Sequence, residues 1–129
     1  MTIRALFTAL LLLAAAPAAA QTAQTAQTPW PNLREGDFGI KDFRFASGEV
    51  ISELKLHYRT LGTARRNAAG EIVNGVVLLH GTSGSGADWL RASLADELFG
   101  AGQPLDASKY FIIMPDGIGR GGSSKPSEV

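Results

Sequence analysis

Val76-Val77-Leu78-Leu79-His80-Gly81-Thr82-Ser83-Gly84-Ser85-Gly86 is an apolar run that stops at His-Gly and passes into a loop of glycines and small hydroxyl residues. A run this compact reads as a buried parallel strand, spanning Val73 to Leu79, and the loop after it as a functional turn. Open α/β sheets place ligands and chemistry at the carboxyl ends of their parallel strands. Beyond the loop, Trp89, Leu90, Leu94 and Leu98 recur at helical spacing, predicting a helix from about Ala87 to Phe99 with Gly100 as its stop. Asp106-Ala107-Ser108-Lys109 reads as a turn, and Tyr110-Phe111-Ile112-Ile113-Met114-Pro115 as a second buried strand. Strand, glycine loop, helix and strand make a βαβ crossover, hence a parallel pair in an α/β sheet.

Upstream the pattern is alternation. Phe38, Ile40, Phe43 and Phe45 are spaced as on a half-buried strand starting at Asp37, with an irregularity at Lys41-Asp42. Ser47-Gly48-Glu49 is a turn signal, and Ile51 to Leu61 alternates again, with Leu54, Leu56 and Tyr58 on one face and Lys55, His57 and Arg59 on the other. The two segments read as an antiparallel hairpin, and His57 as a solvent-facing strand residue. No metal site is assigned, because no second histidine or carboxylate stands at ligand spacing from His57.

The first twenty residues place Arg4 before an apolar core from Ala5 to Ala16, followed by Pro17 and Ala18-Ala19-Ala20. This is the order of a secretory signal peptide, and the core is shorter than the roughly twenty residues a membrane span needs. Residues 1–20 are therefore expected to be removed, leaving an exported protein, periplasmic or secreted, with no membrane span. Residues 21–36 repeat Gln-Thr-Ala and then carry Pro29-Trp30-Pro31, and read as a flexible linker ahead of a domain over 37–129.

Twelve basic and twelve acidic residues cancel, and removal of the leader with its Arg4 leaves about −1, eleven against twelve. Nothing in that balance suggests a nucleic-acid partner. The chain has no cysteine, which excludes disulfides, thiolate nucleophiles and cysteine-ligated zinc.

The loop His80 to Gly86 has the backbone amides and small side chains that a developing oxyanion needs, although a plain βα turn would use the same residues. It lacks the lysine of a phosphate-binding P-loop. The second loop, Asp116-Gly117-Ile118-Gly119-Arg120-Gly121-Gly122-Ser123-Ser124-Lys125-Pro126, satisfies G-x-G-x-x-G through Gly117, Gly119 and Gly122. A dinucleotide site nevertheless requires a helix opening at the last glycine and an acidic residue about twenty positions on, whereas Ser-Ser-Lys-Pro follows here. The nucleophile elbow G-x-S-x-G is absent, and Ser83, Ser85, Ser123 and Ser124 read as loop-formers.

Taken together, a strand ending His-Gly-x-x-Gly and, about thirty residues on, a strand ending in Asp116, Gly119, Gly121, Ser123 and Pro126 resemble the amino-terminal portion of the α/β-hydrolase family. Ser47-Gly48-Glu49, Leu54-x-Leu56-x-Tyr58-Arg59-Thr60-Leu61-Gly62 and Pro104-Leu105-Asp106-x-x-Lys109-Tyr110-Phe111 are similar to the branch containing homoserine O-acetyltransferase and its hydrolase relatives. The resemblance runs from about Phe43 to the carboxyl end. It implies that the Thr82 backbone N–H is one oxyanion-hole donor. His80, Gly81, Gly84, Asp116, Gly119, Gly121 and Ser123 then bind substrate or shape the loops.

The resemblance also implies that the family's nucleophile, acid and base come later in chain order than these loops, so Asp116 and His80 are not the triad acid and base. The expected fold is a hairpin followed by one βαβ unit, a truncated α/β-hydrolase sheet that is marginal or aggregation-prone alone. A genuine short protein is the alternative. The expected activity of the intact protein is Ser-His-Asp acyl transfer from a small acyl substrate to water, without a cofactor. A homoserine O-acetyltransferase-type reaction and a non-catalytic exported ligand-binding module are the other readings, and the 129-residue chain itself is expected to be inactive.

Overall fold

The computed structural model describes Trp30 and residues 32–128. The expected signal peptide, residues 1–20, and most of the expected linker lie outside the described residues. The elements, in chain order, are β1 (Arg34–Arg44), β2 (Val50–Leu61), β3 (Gly75–Val77), a 3₁₀ turn (Gly86–Leu90), α1 (Ala92–Leu98) and β4 (Phe111–Pro115). They form one four-stranded sheet in the order β1-β2-β4-β3. β1 and β2 are the antiparallel hairpin, β2 also runs antiparallel to β4, and β3 and β4 are the parallel pair of the crossover. No helix among these residues is long and apolar enough to cross a membrane.

The hairpin starts at Arg34, so residues 34–36 of the expected linker are already paired, Arg34 opposite Thr60 and Gly36 opposite Tyr58. The irregularity expected at Lys41-Asp42 is real: Asp42 has φ of 49° and drops out of the ladder between Lys41↔Glu53 and Phe43↔Ile51. Aspartate tolerates this left-handed conformation better than most residues.

Two expectations about burial are corrected. The face of β2 carrying His57 and Arg59 continues into Leu61, which packs with Ile112, Met114, Ala95 and Phe99 in the core beneath α1. That face is covered towards its Leu61 end, while on the opposite face Leu54 is buried. Its polar residues are accommodated by cross-strand partners: Glu35 lies opposite Arg59 and Asp37 opposite His57. The alternation holds, and His57 and Arg59 are half-buried on the side of α1 because their charges are matched. β3 is an edge strand, shorter than the run Val73 to Leu79, and Val77 and Leu79 on its uncovered face are 58% and 72% exposed. Its pairing extends one residue further, where Leu78 N–H donates to the Ile113 carbonyl at 2.9 Å.

The single helix expected over 87–99 is broken at Arg91, whose ψ of 136° is extended. Asp88 holds the turn before the break, accepting from the Ser85 N–H at 3.0 Å and pairing with the Arg91 guanidinium. The break resets the helical phase. Ala95, Leu98 and Phe99 therefore face the core, while Leu94, expected among the buried positions, is 39% exposed. A seven-residue helix is too short to be stable by propensity and is held by this packing. Trp30 packs edge-on against Phe99, with ring centroids 5.9 Å apart.

Candidate functional site

The strand directions bring three segments to one end of the sheet: the loop after β3, the loop after β4, and the β1–β2 turn. The loop after β4 does not leave the sheet. Asp116 N–H donates to the His57 carbonyl at 2.8 Å, Ser124 N–H donates to the Lys55 carbonyl at 2.9 Å, and the glycines between them arch outward. The side chains of the two serines complete the pairing. Ser123 Oγ accepts from His57 N–H at 2.9 Å and donates to the Asp116 carbonyl at 2.8 Å, and Ser124 Oγ accepts from Lys55 N–H at 2.9 Å. Both serines are buried in this role.

Asp116 ties the arch together. Its residue is 1% exposed, and its carboxylate accepts from Gly86 N–H at 2.6 Å, Gly122 N–H at 2.8 Å and Arg59 at 3.1 Å. Burial alone would raise the carboxyl pKa. The N–H groups of Gly122 and Gly86, then the charges of Arg59 and His57, outweigh it and hold the group below its ordinary value. Two glycines are required by this packing. Gly121 has φ of 49°, and a Cβ there would run into the Asp116 carboxylate; a Cβ at Gly86 would run into the Met114 carbonyl.

His80 joins the two loops. Its Nε2 accepts from Gly117 N–H at 2.8 Å, which leaves Nδ1 to donate to the Gly81 carbonyl at 2.7 Å. Thr82, Gly81 and Gly84 of the first loop and Gly119 and Gly121 of the second line one open cleft of about 630 Å³, together with Ser83, Ser85, Asp88, Arg91, Arg120 and Lys125. His80, Asp116 and Ser123 stand behind that surface. The arrangement presents backbone and cationic groups to a ligand, so it is suited to receive negative charge.

Reading the sequence alone missed the layer beneath. His57 Nδ1 lies 2.7 Å from Asp37, its Nε2 lies 3.7 Å from Glu35, and Arg59 bridges Glu35 at 2.8 Å to Asp116. The signal that could have found it was the opposite-charge match across the hairpin, Glu35 with Arg59 and Asp37 with His57. Among the described residues no group of three or more His, Asp or Glu side chains could hold a metal ion.

No family model matches the sequence. The chain is 36% identical over 90 residues to a probable acyltransferase of Methanothermobacter thermautotrophicus, covering 70% of this chain and 27% of that protein. It is 29% identical over 96 residues to the homoserine O-acetyltransferase of Citrifermentans bemidjiense, covering 68% of this chain and 25% of that one. In three dimensions it superposes on an acetylester hydrolase from Corynebacterium glutamicum with a TM-score of 0.59 and 29% identity, over 74% of this chain and 25% of the other.

The chain is similar to the homoserine O-acetyltransferase-like branch of the α/β-hydrolase family, over the amino-terminal part of those proteins. It spans about a quarter of the length of the curated relatives it matches. Its hairpin and βαβ unit match the amino-terminal part of the hydrolase fold, as the two loop motifs led one to expect. Acyl-group chemistry, by hydrolysis or transfer, is what these relatives share. The cleft between the two glycine loops is the candidate site.

Proposed function

We propose that this chain supplies the oxyanion side of the active site of an exported serine hydrolase that transfers the acyl group of an ester or a related small acyl compound to water. The Thr82 N–H would be one donor to the tetrahedral intermediate, a contribution of about 3 kcal/mol for one such donor. The observation that carries the reading is the His80 bridge, which locks the His-Gly-Thr turn to the second glycine loop with Thr82 on the cleft wall. Nucleophile, acid and base are contributed by residues outside these 129, since no G-x-S-x-G occurs here, and the 129-residue chain alone is inactive. Residues 1–20 direct export to the periplasm or beyond, and the partner of the site is a small acyl substrate.

Acyl transfer to an amino-acid hydroxyl is the second reading, favoured by the names of the two curated relatives. Export favours water, because an acyl-CoA donor is cytoplasmic. The native protein, isolated from its host, is incubated with p-nitrophenyl acetate and, separately, with homoserine plus acetyl-CoA. Hydrolysis without transfer is expected; transfer without hydrolysis would reverse the order.

A further inference from the structure

The geometry points to the cleft as a reader of a carboxylate carried by the acyl substrate, with Arg120 as the residue that binds it. This rests on the reading of the cleft as the acyl site and names the substrate class that it takes. None of the side chains that the described residues contribute to the cleft wall is apolar, so this wall gives a long acyl chain nothing against which to be buried. Three cations stand on that wall. Arg91 is paired with Asp88, and Lys125 lies 3.3 Å from Glu128. Arg120 makes no ion pair among the described residues.

Arg120 also sits where its position is fixed. Gly119 and Gly121 on either side have φ of 83° and 49°, and the Arg120 N–H closes a turn onto the Gly117 carbonyl at 3.0 Å. The left-handed glycines set the arginine at the tip of the arch, above the buried Asp116. With two of the three cations each matched by one carboxylate, the cleft retains one guanidinium that has no ion pair among the described residues. A singly charged carboxylate completes the pattern, and the planar fork of arginine accepts it through two parallel N–H donors. A doubly charged phosphate would leave one of its charges uncompensated.

The test is a titration of the native full-length protein, isotopically labelled and followed through its amide resonances, with three probes: monomethyl succinate, dimethyl succinate and inorganic phosphate. The monoester is expected to bind about tenfold more tightly than the neutral diester, with the largest shifts at Gly119 to Gly121 and at Thr82. Arg120→Gln should abolish that preference, Arg120→Lys should keep part of it, and Arg44→Gln, on the hairpin, should leave it intact. Equal binding of the two esters, tighter binding of phosphate, or a preference that survives Arg120→Gln would overturn the assignment. Because the readout is binding, a protein that binds the monoester and never hydrolyses an ester would sink the catalytic reading and leave this one standing.

Discussion

Replacing Asp116 by asparagine removes one oxygen acceptor and a charge while keeping the shape of the side chain. The carboxylate takes three donors, from Gly86, Gly122 and Arg59. An amide can point its oxygen at one backbone N–H, but its NH₂ then faces the other, leaving a buried donor unsatisfied at about 1–3 kcal/mol. Arg59 loses its charged partner on this side and retains only Glu35. Loss of a charge-assisted bond adds about 1–2 kcal/mol, so the expected total is about 3 kcal/mol. With a urea m-value of roughly 1.5 kcal/mol/M for a domain this size, the midpoint should fall by about 2 M. The assay is equilibrium urea unfolding at neutral pH, followed by tryptophan fluorescence. A loss below about 0.5 kcal/mol, the range of ordinary surface changes, would refute the claim that Asp116 organises the arch.

The same group sets an acid limb. Its folded pKa is depressed, so its contribution is present above the unfolded value of about 3.9 and is lost as pH falls through the folded one. Urea midpoints should therefore drop below about pH 4, and D116N should flatten part of that slope while Asp106, also held below its ordinary value by N–H and O–H donors of Gly102 and Ser108, keeps the remainder. Gly121→Ala should cost about 2–3 kcal/mol by the same unfolding assay, since the left-handed backbone and the contact with Asp116 both oppose a methyl group. If the full-length protein is the proposed hydrolase, Thr82→Pro, which deletes the N–H, should lower its kcat by about 10²–10³, whereas Thr82→Ala keeps the amide and should stay within about threefold.

The fold was legible where the signal is local. The apolar run before His80, the run before Asp116 and the turn at Ser47-Gly48-Glu49 each reported the element they border, and the crossover followed from their order. Burial was not legible, because it depends on which residues meet across strands. His57 read as solvent-facing, on the face it shares with Arg59, until Glu35, Asp37 and Asp116 are placed beside them. Leu94 read as core because helical periodicity assumes one unbroken helix, and the extended backbone at Arg91 shifts the phase. In the site, both glycine loops were visible as motifs, and the histidine ring that joins them was visible only as a residue type. The pairing of Ser123 and Ser124 with β2 is a contact across more than sixty residues, which no local pattern records.

The central claim is that these loops are the oxyanion side of a site whose nucleophile is supplied by residues outside the chain. The native protein, purified from its host, is reacted with a fluorophosphonate and the adduct is mapped by peptide mass spectrometry. The account predicts a single modified serine in a G-x-S-x-G sequence outside residues 1–129. An adduct on Ser83, Ser85, Ser123 or Ser124, or no adduct on the active native protein, would contradict it.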